Sequence, residues 1–311
     1  MNVKKSVDRR EFLSKTALAS AAVLFGSTSG RSQKLFSSAS KHIPIFAHLW
    51  VYASKFPPNW DCTPNLETVF SDLSYAGIEG LELMEANLRH DDAVIRIGEL
   101  IKKYNLAVSG SSYGVGLSLF DKDQHQKILS DIKIIIPRLS KLGGKTFGIS
   151  VGHSKAPKTE DQFDAQADIL IKIRSICSDQ GIIANLHNHT YEVENDLYDL
   201  KGTLARIPDF KLGPDINWLI RAGINPVEFI NTYGKQIVYL HLRDQYADGI
   251  WTEYLGQGDT DFKNIAKALK GVGFEGQAAI ELAFPQDYSP KKPLKEDWRI
   301  SREFVQNTFG W

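Results

Sequence analysis

Residues 237–283 read IVYLHLRDQYADGIWTEYLGQGDTDFKNIAKALKGVGFEGQAAIELA, and this stretch decides the fold. Two short runs, Ile237–Arg243 and Gln277–Ala283, alternate with a period of two, and a helical pattern, Asp261–Val272, lies between them. Strand, helix and strand in that order make a βαβ unit, which pairs its strands in parallel. The same rhythm runs back along the chain. Further candidate strands are Ile43–Trp50, Ile78–Met84, Leu106–Gly110, Lys145–Val151, Ile182–His189 and Lys211–Asn217. Helical patterns separate them, among them Asn65–Ala76, Asp92–Tyr104, Asp123–Leu142, Asp161–Gln180 and Pro226–Tyr233. Pro137 inside the third should kink or break it. Eight such units fit one single-domain α/β protein, a (β/α)8 TIM barrel of about 250 residues, here 43–311. The rival is an open doubly wound sheet, and no Gly-rich dinucleotide turn follows the first strand to support it.

The chain has 311 residues, 42% of them apolar and 24% charged, enough to bury a full core. Lysine plus arginine equals aspartate plus glutamate at 37 each. That balance gives no electrostatic footprint for nucleic acid or an anionic membrane. Lys4, Lys5, Arg9 and Arg10 precede a short apolar run, Thr16–Phe25, too short to span a bilayer, which takes about 20 helical residues. Residues 1–30 resemble a twin-arginine export signal and 31–42 a flexible mature N-terminus, which implies a periplasmic protein. No cysteine follows the apolar run, so no lipid anchor is expected. Cys62 and Cys177 stand far apart, and neither a disulfide nor a zinc–thiolate site is assigned; Cys177 reads as a buried thiol within a helix. Pro293–Trp311 reads as a loop and helix covering either the barrel or a neighbouring subunit, so a homo-oligomer stays open.

Barrel active sites lie at the C-terminal ends of the strands. Inward-facing polar residues late in the strands are therefore the ones to collect. Strand five offers His187, with Asn185 and His189 on the same parity; strand six offers Asp215; strand seven, His241 between outward Leu240 and Leu242; strand eight, Glu281 between Ile280 and Leu282. Ala279 and Ala283 are small inward neighbours that leave room at the Glu281 level. A single His there is ordinarily structural, and a single Asp ordinarily caps the next helix. Four at equivalent depth on consecutive strands read instead as ligands of one divalent ion. Two imidazoles and two carboxylates suit Mn²⁺, Co²⁺, Zn²⁺ or Fe²⁺ better than an all-oxygen Ca²⁺ cage.

Other residues complete the expected constellation. Glu281 serves as ligand and base, and His189 or Glu192 supplies a second proton-transfer group. The competing readings are a hydrogen bond that fixes a ligand for His189 and a solvated loop charge for Glu192. Arg243 holds a substrate oxygen, or else pairs with Asp244 or another neighbour. Glu82 and His48 contact hydroxyls, with His153 further out. Trp50, Trp60, Trp218 and Trp251 fall at strand ends or in the loops after them, where aromatic walls exclude water from a site; Trp218 and Trp251 read as substrate contacts. The turn Gly256-Gln-Gly258-Asp-Thr-Asp261 looks like a phosphate loop but lacks Lys-Ser/Thr, and Asp261 caps the following helix.

Several runs carry a family likeness. They are Gly77-Ile-Glu-Gly-Leu-Glu82-Leu, His187-Asn-His-Thr-Tyr-Glu192, Asp215-Ile-Asn-Trp218, the Ala-Gly-Ile-Asn-Pro226 after it, His241-Leu-Arg-Asp244, Leu255-Gly-Gln-Gly-Asp-Thr-Asp-Phe262 and Ala279-Ile-Glu281. Together they resemble the xylose-isomerase-like barrels of the sugar phosphate isomerase/epimerase type, in a His-Asn-His subgroup, over about residues 43–284. The resemblance implies a metal held by strands five to eight and a polyol or keto-sugar substrate. Many members carry Glu where His187 stands and His where Trp218 stands. The usual pair of bases, one on each side of the sugar carbon, is thus incomplete here, and the four ligands cancel the charge of the ion without exceeding it. A less neutralised ion is a stronger Lewis acid. The expectation is a metal-dependent isomerase/epimerase-type enzyme removing a proton next to a carbonyl of an unphosphorylated keto-sugar or glycoside. The alternative is a lyase splitting 3-keto-glycosides by β-elimination. An apurinic-site endonuclease, with more zinc ligands and a basic DNA face, is opposed by the neutral charge; a non-catalytic sugar-binding barrel is opposed by the four retained ligands.

Overall fold

In the computed structural model the strands are β1 (Ile45–His48), β2 (Gly80–Met84), β3 (Ala107–Tyr113), β4 (Thr146–Ile149), β5 (Ile183–Leu186), β6 (Lys211–Leu212), β7 (Tyr239–Leu242) and β8 (Gln277–Ile280). All pair in parallel in the order β6-β5-β4-β3-β2-β1-β8-β7. Single bridges, Leu212 to Ile237 and Asp215 to His241, join β6 to β7 and complete the ring. The structure describes residues 42–114, 116–285 and 288–311, so the expected export signal lies outside the described residues.

The longer helices are α1 (Leu66–Ala76), α2 (Ala93–Tyr104), α3 (His125–Lys141), α4 (Glu160–Ser178), α5 (Thr190–Arg206), α6 (Pro226–Tyr233), α7 (Phe262–Gly271) and α8 (Leu294–Phe309). No helix among the described residues is long and apolar enough to cross a membrane. Two expectations need correction. Pro137 does not end α3, because the buried stripe Ile128, Ile132, Ile135, Ile136 and Leu139 continues on both sides of it. The carbonyl it leaves without a partner belongs to exposed Lys133, where water can reach it. Glu192 is not in a loop: α5 begins at Thr190, and Glu192 lies buried in its first turn. Further along, α5 breaks at Glu194–Leu197, where Asn195, Asp196 and Leu197 take left-handed backbone.

Alternation decides which side chains enter the barrel. Leu81, Leu83, Leu240, Leu242 and Ile280 face outward into the main core beneath the helices, each worth about 1.5–3 kcal/mol on burial. Phe46, Tyr239 and Ala279 pack inside as a separate floor, and the Tyr239 hydroxyl meets Ser109 Oγ across the barrel at 2.9 Å. The last segment covers its own barrel. Trp298 of α8 is fully buried and donates through Nε1 to the Tyr52 hydroxyl at 3.0 Å, while Ser301 Oγ accepts from the Leu255 amide at 3.1 Å. Both cysteines are free and buried, as Cys177 was expected to be.

Candidate active site

β6 is shorter than its pattern because Asp215 starts a helix. Its Oδ1 accepts from the amides of Asn217 (2.8 Å) and Trp218 (3.2 Å), capping the short helix Ile216–Arg221. That leaves Oδ2 to face the barrel mouth. The cap and the site role, set against each other above, therefore coexist on one carboxylate. His187 follows β5, and His241 and Glu281 lie at the ends of β7 and β8. Ligand atoms of His187, Asp215 and His241 lie within 4.8 Å of one another. Glu281 Oε2 is 3.3 Å from His241 Nδ1.

These residues fit a cation. His187 Nδ1, His241 Nδ1 and Glu281 Oε2 are buried atoms with no hydrogen-bond partner among the described residues. A native interior rarely leaves such atoms unpaired unless an ion or water serves them. His241 is oriented for it, because its Nε2 hydrogen-bonds Glu82 Oε2, a carboxylate–histidine arrangement that leaves Nδ1 free. His48, Glu82 and His241 form a second close group, but Glu82 already occupies the Nε2 side of that ring. Burial, then the neighbouring His241 and His189, push His187 well below the usual histidine range, so it is neutral. Burial opposes a charged His241, yet Glu82 and Glu281 raise it to about 9. Burial likewise opposes ionised Glu281, and Arg243, His48 and His241 overcome it, holding the carboxyl at about 2.

Arg243 departs from one expected pairing. Its Nη2 sits against Glu281 Oε1 and 3.5 Å from Asp215 Oδ2, not against Asp244. Asp244 instead accepts from the amides of Gly256 (2.9 Å), Gly258 (2.9 Å) and Thr260 (3.4 Å). The glycine turn that looks like a phosphate loop thus wraps a carboxylate of its own chain, and Asp261 caps α7 as read, accepting from Asn264 N at 3.1 Å.

Glu192 is spent on positioning. Its carboxylate accepts from Val151 N (3.0 Å), His189 N (2.6 Å) and Ser150 Oγ. His189 Nδ1 lies 3.1 Å from the Tyr191 hydroxyl, 3.3 Å from Ser150 Oγ and 3.5 Å from Glu192 Oε2. Burial opposes a charged His189, and the Glu192 hydrogen bond raises it above the usual range.

A pocket of about 370 Å³ opens over this cluster, walled by Trp50, Trp60, Trp218 and Trp251, with His48, His187, His189, Arg243 and Glu281 lining it. All four tryptophans read from strand ends converge there. Trp218 and Trp251 meet edge to face at 5.8 Å, with the Arg243 guanidinium 4.9 Å from the Trp251 ring centre. His48 Nε2 bonds Ser112 Oγ at 3.0 Å. Glu82 lies below, against His241, and does not line the pocket; exposed His153 sits beyond it, edge-on to Tyr191 at 5.1 Å. Sequence reasoning missed Ser112, Ser150, Tyr191 and Glu85. Ser150 sat late in a predicted strand and was legible by the rule that found the ligands. Glu85, one residue past β2, had no such signal.

Fold and pocket together define a (β/α)8 barrel with a titratable, aromatic-walled site at its C-terminal face. The chain belongs to the xylose isomerase-like TIM barrel family, whose model matches residues 70–308. Among curated relatives, an inosose dehydratase of Clostridium beijerinckii is 24% identical over 273 residues, 74% of this chain and 89% of the relative. One from Clostridium botulinum is 23% identical over 269 residues, 74% and 85% of the two chains. Solved structures with the same fold include a 3-keto-D-glucoside 4-epimerase from E. coli (TM-score 0.68, 16% identity, 86% of this chain and 100% of that one). A D-allulose 3-epimerase from Methylomonas sp. superposes with TM-score 0.69 at 17% identity, covering 86% and 98%.

Proposed function

We propose that this protein removes the proton beside the ketone of an unphosphorylated keto-sugar or keto-glycoside, and that elimination from the β carbon follows. The observation that carries the reading is that His187 Nδ1, His241 Nδ1 and Glu281 Oε2 are buried with no hydrogen-bond partner among the described residues, where ligand atoms of His187, Asp215 and His241 lie within 4.8 Å of one another and Glu281 Oε2 is 3.3 Å from His241 Nδ1. His187, Asp215, His241 and Glu281 would hold one divalent ion (Mn²⁺, Co²⁺ or Zn²⁺). When bound, such an ion supplies positive charge to a carbonyl oxygen that becomes negative as the proton leaves.

The chain's own residues do the rest. Glu281, expected as ligand and base, is tied through Oε1 to Arg243, which reduces its value as a base. We assign that task to His189: its Nδ1 is engaged by Ser150, Tyr191 and Glu192, leaving Nε2 to accept a proton while Glu192 stabilises the imidazolium. Glu82 fixes the His241 ring. The tryptophan walls exclude water and stack on the sugar. One base suffices to enolise and eliminate; inverting a stereocentre needs a donor on the opposite face. The dehydratase relatives and the keto-glucoside epimerase support chemistry of this kind. Export through the twin-arginine-type signal, part of the same proposal, puts the enzyme among unphosphorylated sugars. Arg243, the one Lys or Arg among the described residues lining the pocket, is already paired.

The test is product analysis with Mn²⁺-loaded protein. Methyl 3-keto-glucoside should release methanol and leave an unsaturated keto-sugar. Fast C3 epimerisation of a free ketose, with no elimination from any 3-keto-glycoside, would overturn the reading.

A further inference from the structure

The pocket wall continues past the ligands. Glu281 Oε2 lies 3.6 Å from His48 Nδ1, His48 Nε2 lies 3.0 Å from Ser112 Oγ, and Ser112 Oγ lies 3.7 Å from Met84 Sδ. The residue after Met84 is Glu85, which opens the short helix Glu85–Arg89 beyond β2. Glu85 lines the pocket, yet only 4% of its surface is exposed. Its Oε2 has no hydrogen-bond partner among the described residues. The nearest guanidinium, Arg89, stays 3.8 Å from its carboxylate and is committed to Asp131 at 2.8 Å. A carboxyl this buried and this poorly paired is costly as an anion and calls for a role.

Glu85 also borders a second cavity of about 400 Å³, shared with Trp60, Asp61, Arg89 and His90. Trp60 and Glu85 line both cavities, so these two side chains stand between the sugar pocket and further space on its outer side. A free monosaccharide has no use for that extension. A sugar carrying a substituent on its anomeric oxygen does.

We propose that Glu85 is the general acid that protonates the leaving oxygen of a glycoside, whose sugar ring lies between the tryptophans and whose aglycone runs past Trp60. The proposal rests on the elimination reading above. In the step, His189 takes the proton from C2 beside the C3 ketone, and the C2–H electron pair forms the C1=C2 double bond. The C1–O bond breaks with its pair on the glycosidic oxygen, and the Glu85 proton turns that oxygen into the hydroxyl of a free alcohol. Glu85 then regains a proton from water and His189 returns one, so nothing is oxidised or reduced overall. Burial outweighs Arg89 and the nearby amides and raises Glu85 to about 7, which leaves a protonated fraction at neutral pH where an ordinary glutamate has almost none.

The experiment compares methyl and 4-nitrophenyl 3-keto-glucosides with wild-type protein and Glu85→Gln, both loaded with Mn²⁺. An alkoxide leaves poorly without an acid, while a nitrophenolate needs little help. The loss of kcat/KM on the methyl glycoside should exceed that on the nitrophenyl one by on the order of a hundredfold. Equal losses, or none, would overturn the proposal. Should the variant fail to fold, the wild-type pH profile decides. The methyl substrate should show a fall in rate above about pH 7 that the nitrophenyl substrate lacks; identical profiles overturn the assignment. Elimination from both glycosides that Glu85→Gln leaves unchanged sinks the Glu85 role alone, whereas no elimination from either glycoside sinks the underlying reading.

Discussion

Asp215 answers two demands, and they can be separated. Its Oδ1 caps the helix Ile216–Arg221 while Oδ2 lies 3.5 Å from Arg243 Nη2, and a carboxylate oxygen of Asp215 is within 4.8 Å of ligand atoms of His187 and His241. Asparagine caps a helix about as well as aspartate, whereas alanine forfeits about 1 kcal/mol. Asparagine is also a poor ligand for a divalent transition ion. Asp215→Asn should therefore melt near the wild-type temperature yet bind far less Mn²⁺, against about one ion per chain in the wild type; Asp215→Ala should lose both metal and stability. Metal analysis showing full occupancy in both variants would remove Asp215 from the site. At this scale the sequence was informative where parity alone decides direction. Leu240 and Leu242 bracket His241, Ile280 and Leu282 bracket Glu281, and the inward residues between them do meet. It was uninformative where long side chains choose among partners across the barrel. Arg243 turned to Glu281 and Asp215, and Glu192 turned back to His189, because those partners come from other strands or from a helix start that local patterning does not display.

Among the elements, all eight strands were legible, and their ends were the weak point. β5 stops at Leu186 and β6 at Leu212, short of their patterns; beyond β6 only single bridges, Asp215 to His241 among them, carry the pairing on before Asp215 caps a helix. Of the two outcomes read for Pro137, a kink or a break, the break did not occur: a continuous buried stripe outweighs one lost hydrogen bond. The attachment of α8 was left open by its sequence, and the structure shows why it is firm. It also carries a destabilising feature. Asp297, in its first turn, is buried with neither carboxylate oxygen paired among the described residues. Burial first, then nearby Glu253, raises its pKa to about 7. An unfolded Asp ionises near 3.9, so between about pH 4 and pH 7 the unfolded chain releases its proton first and the folded state loses ground. Stability from this group is thus full in acid and lost as pH rises. Asp297→Asn, which cannot ionise, should raise stability by about 2 kcal/mol at pH 8 and change it little at pH 4. A variant no more stable at pH 8 would contradict this account of α8.

For the whole molecule, a net charge of zero hides a concentration of opposite charges at one end of the barrel. Asp215, Glu82 and Glu281 meet Arg243 and a set of closely packed, mutually tilted imidazoles there, while Phe46, Tyr239 and Ala279 close the floor beneath. A core built for stability alone would not gather so many buried titratable groups, and such a gathering in a cleft marks a candidate functional site. In the proposed reaction this cluster takes a proton from carbon next to a ketone, with a metal ion's help. The most direct measurement is deuterium incorporation from D2O beside the ketone of a 3-keto-glucoside, followed by NMR. Mn²⁺-loaded wild type should exchange that position. Chelation should stop the exchange, fresh Mn²⁺ should restore it, and His189→Gln should slow it by about 10²–10⁴-fold. No exchange by the loaded enzyme, or the same rate after chelation and in His189→Gln, would contradict the account.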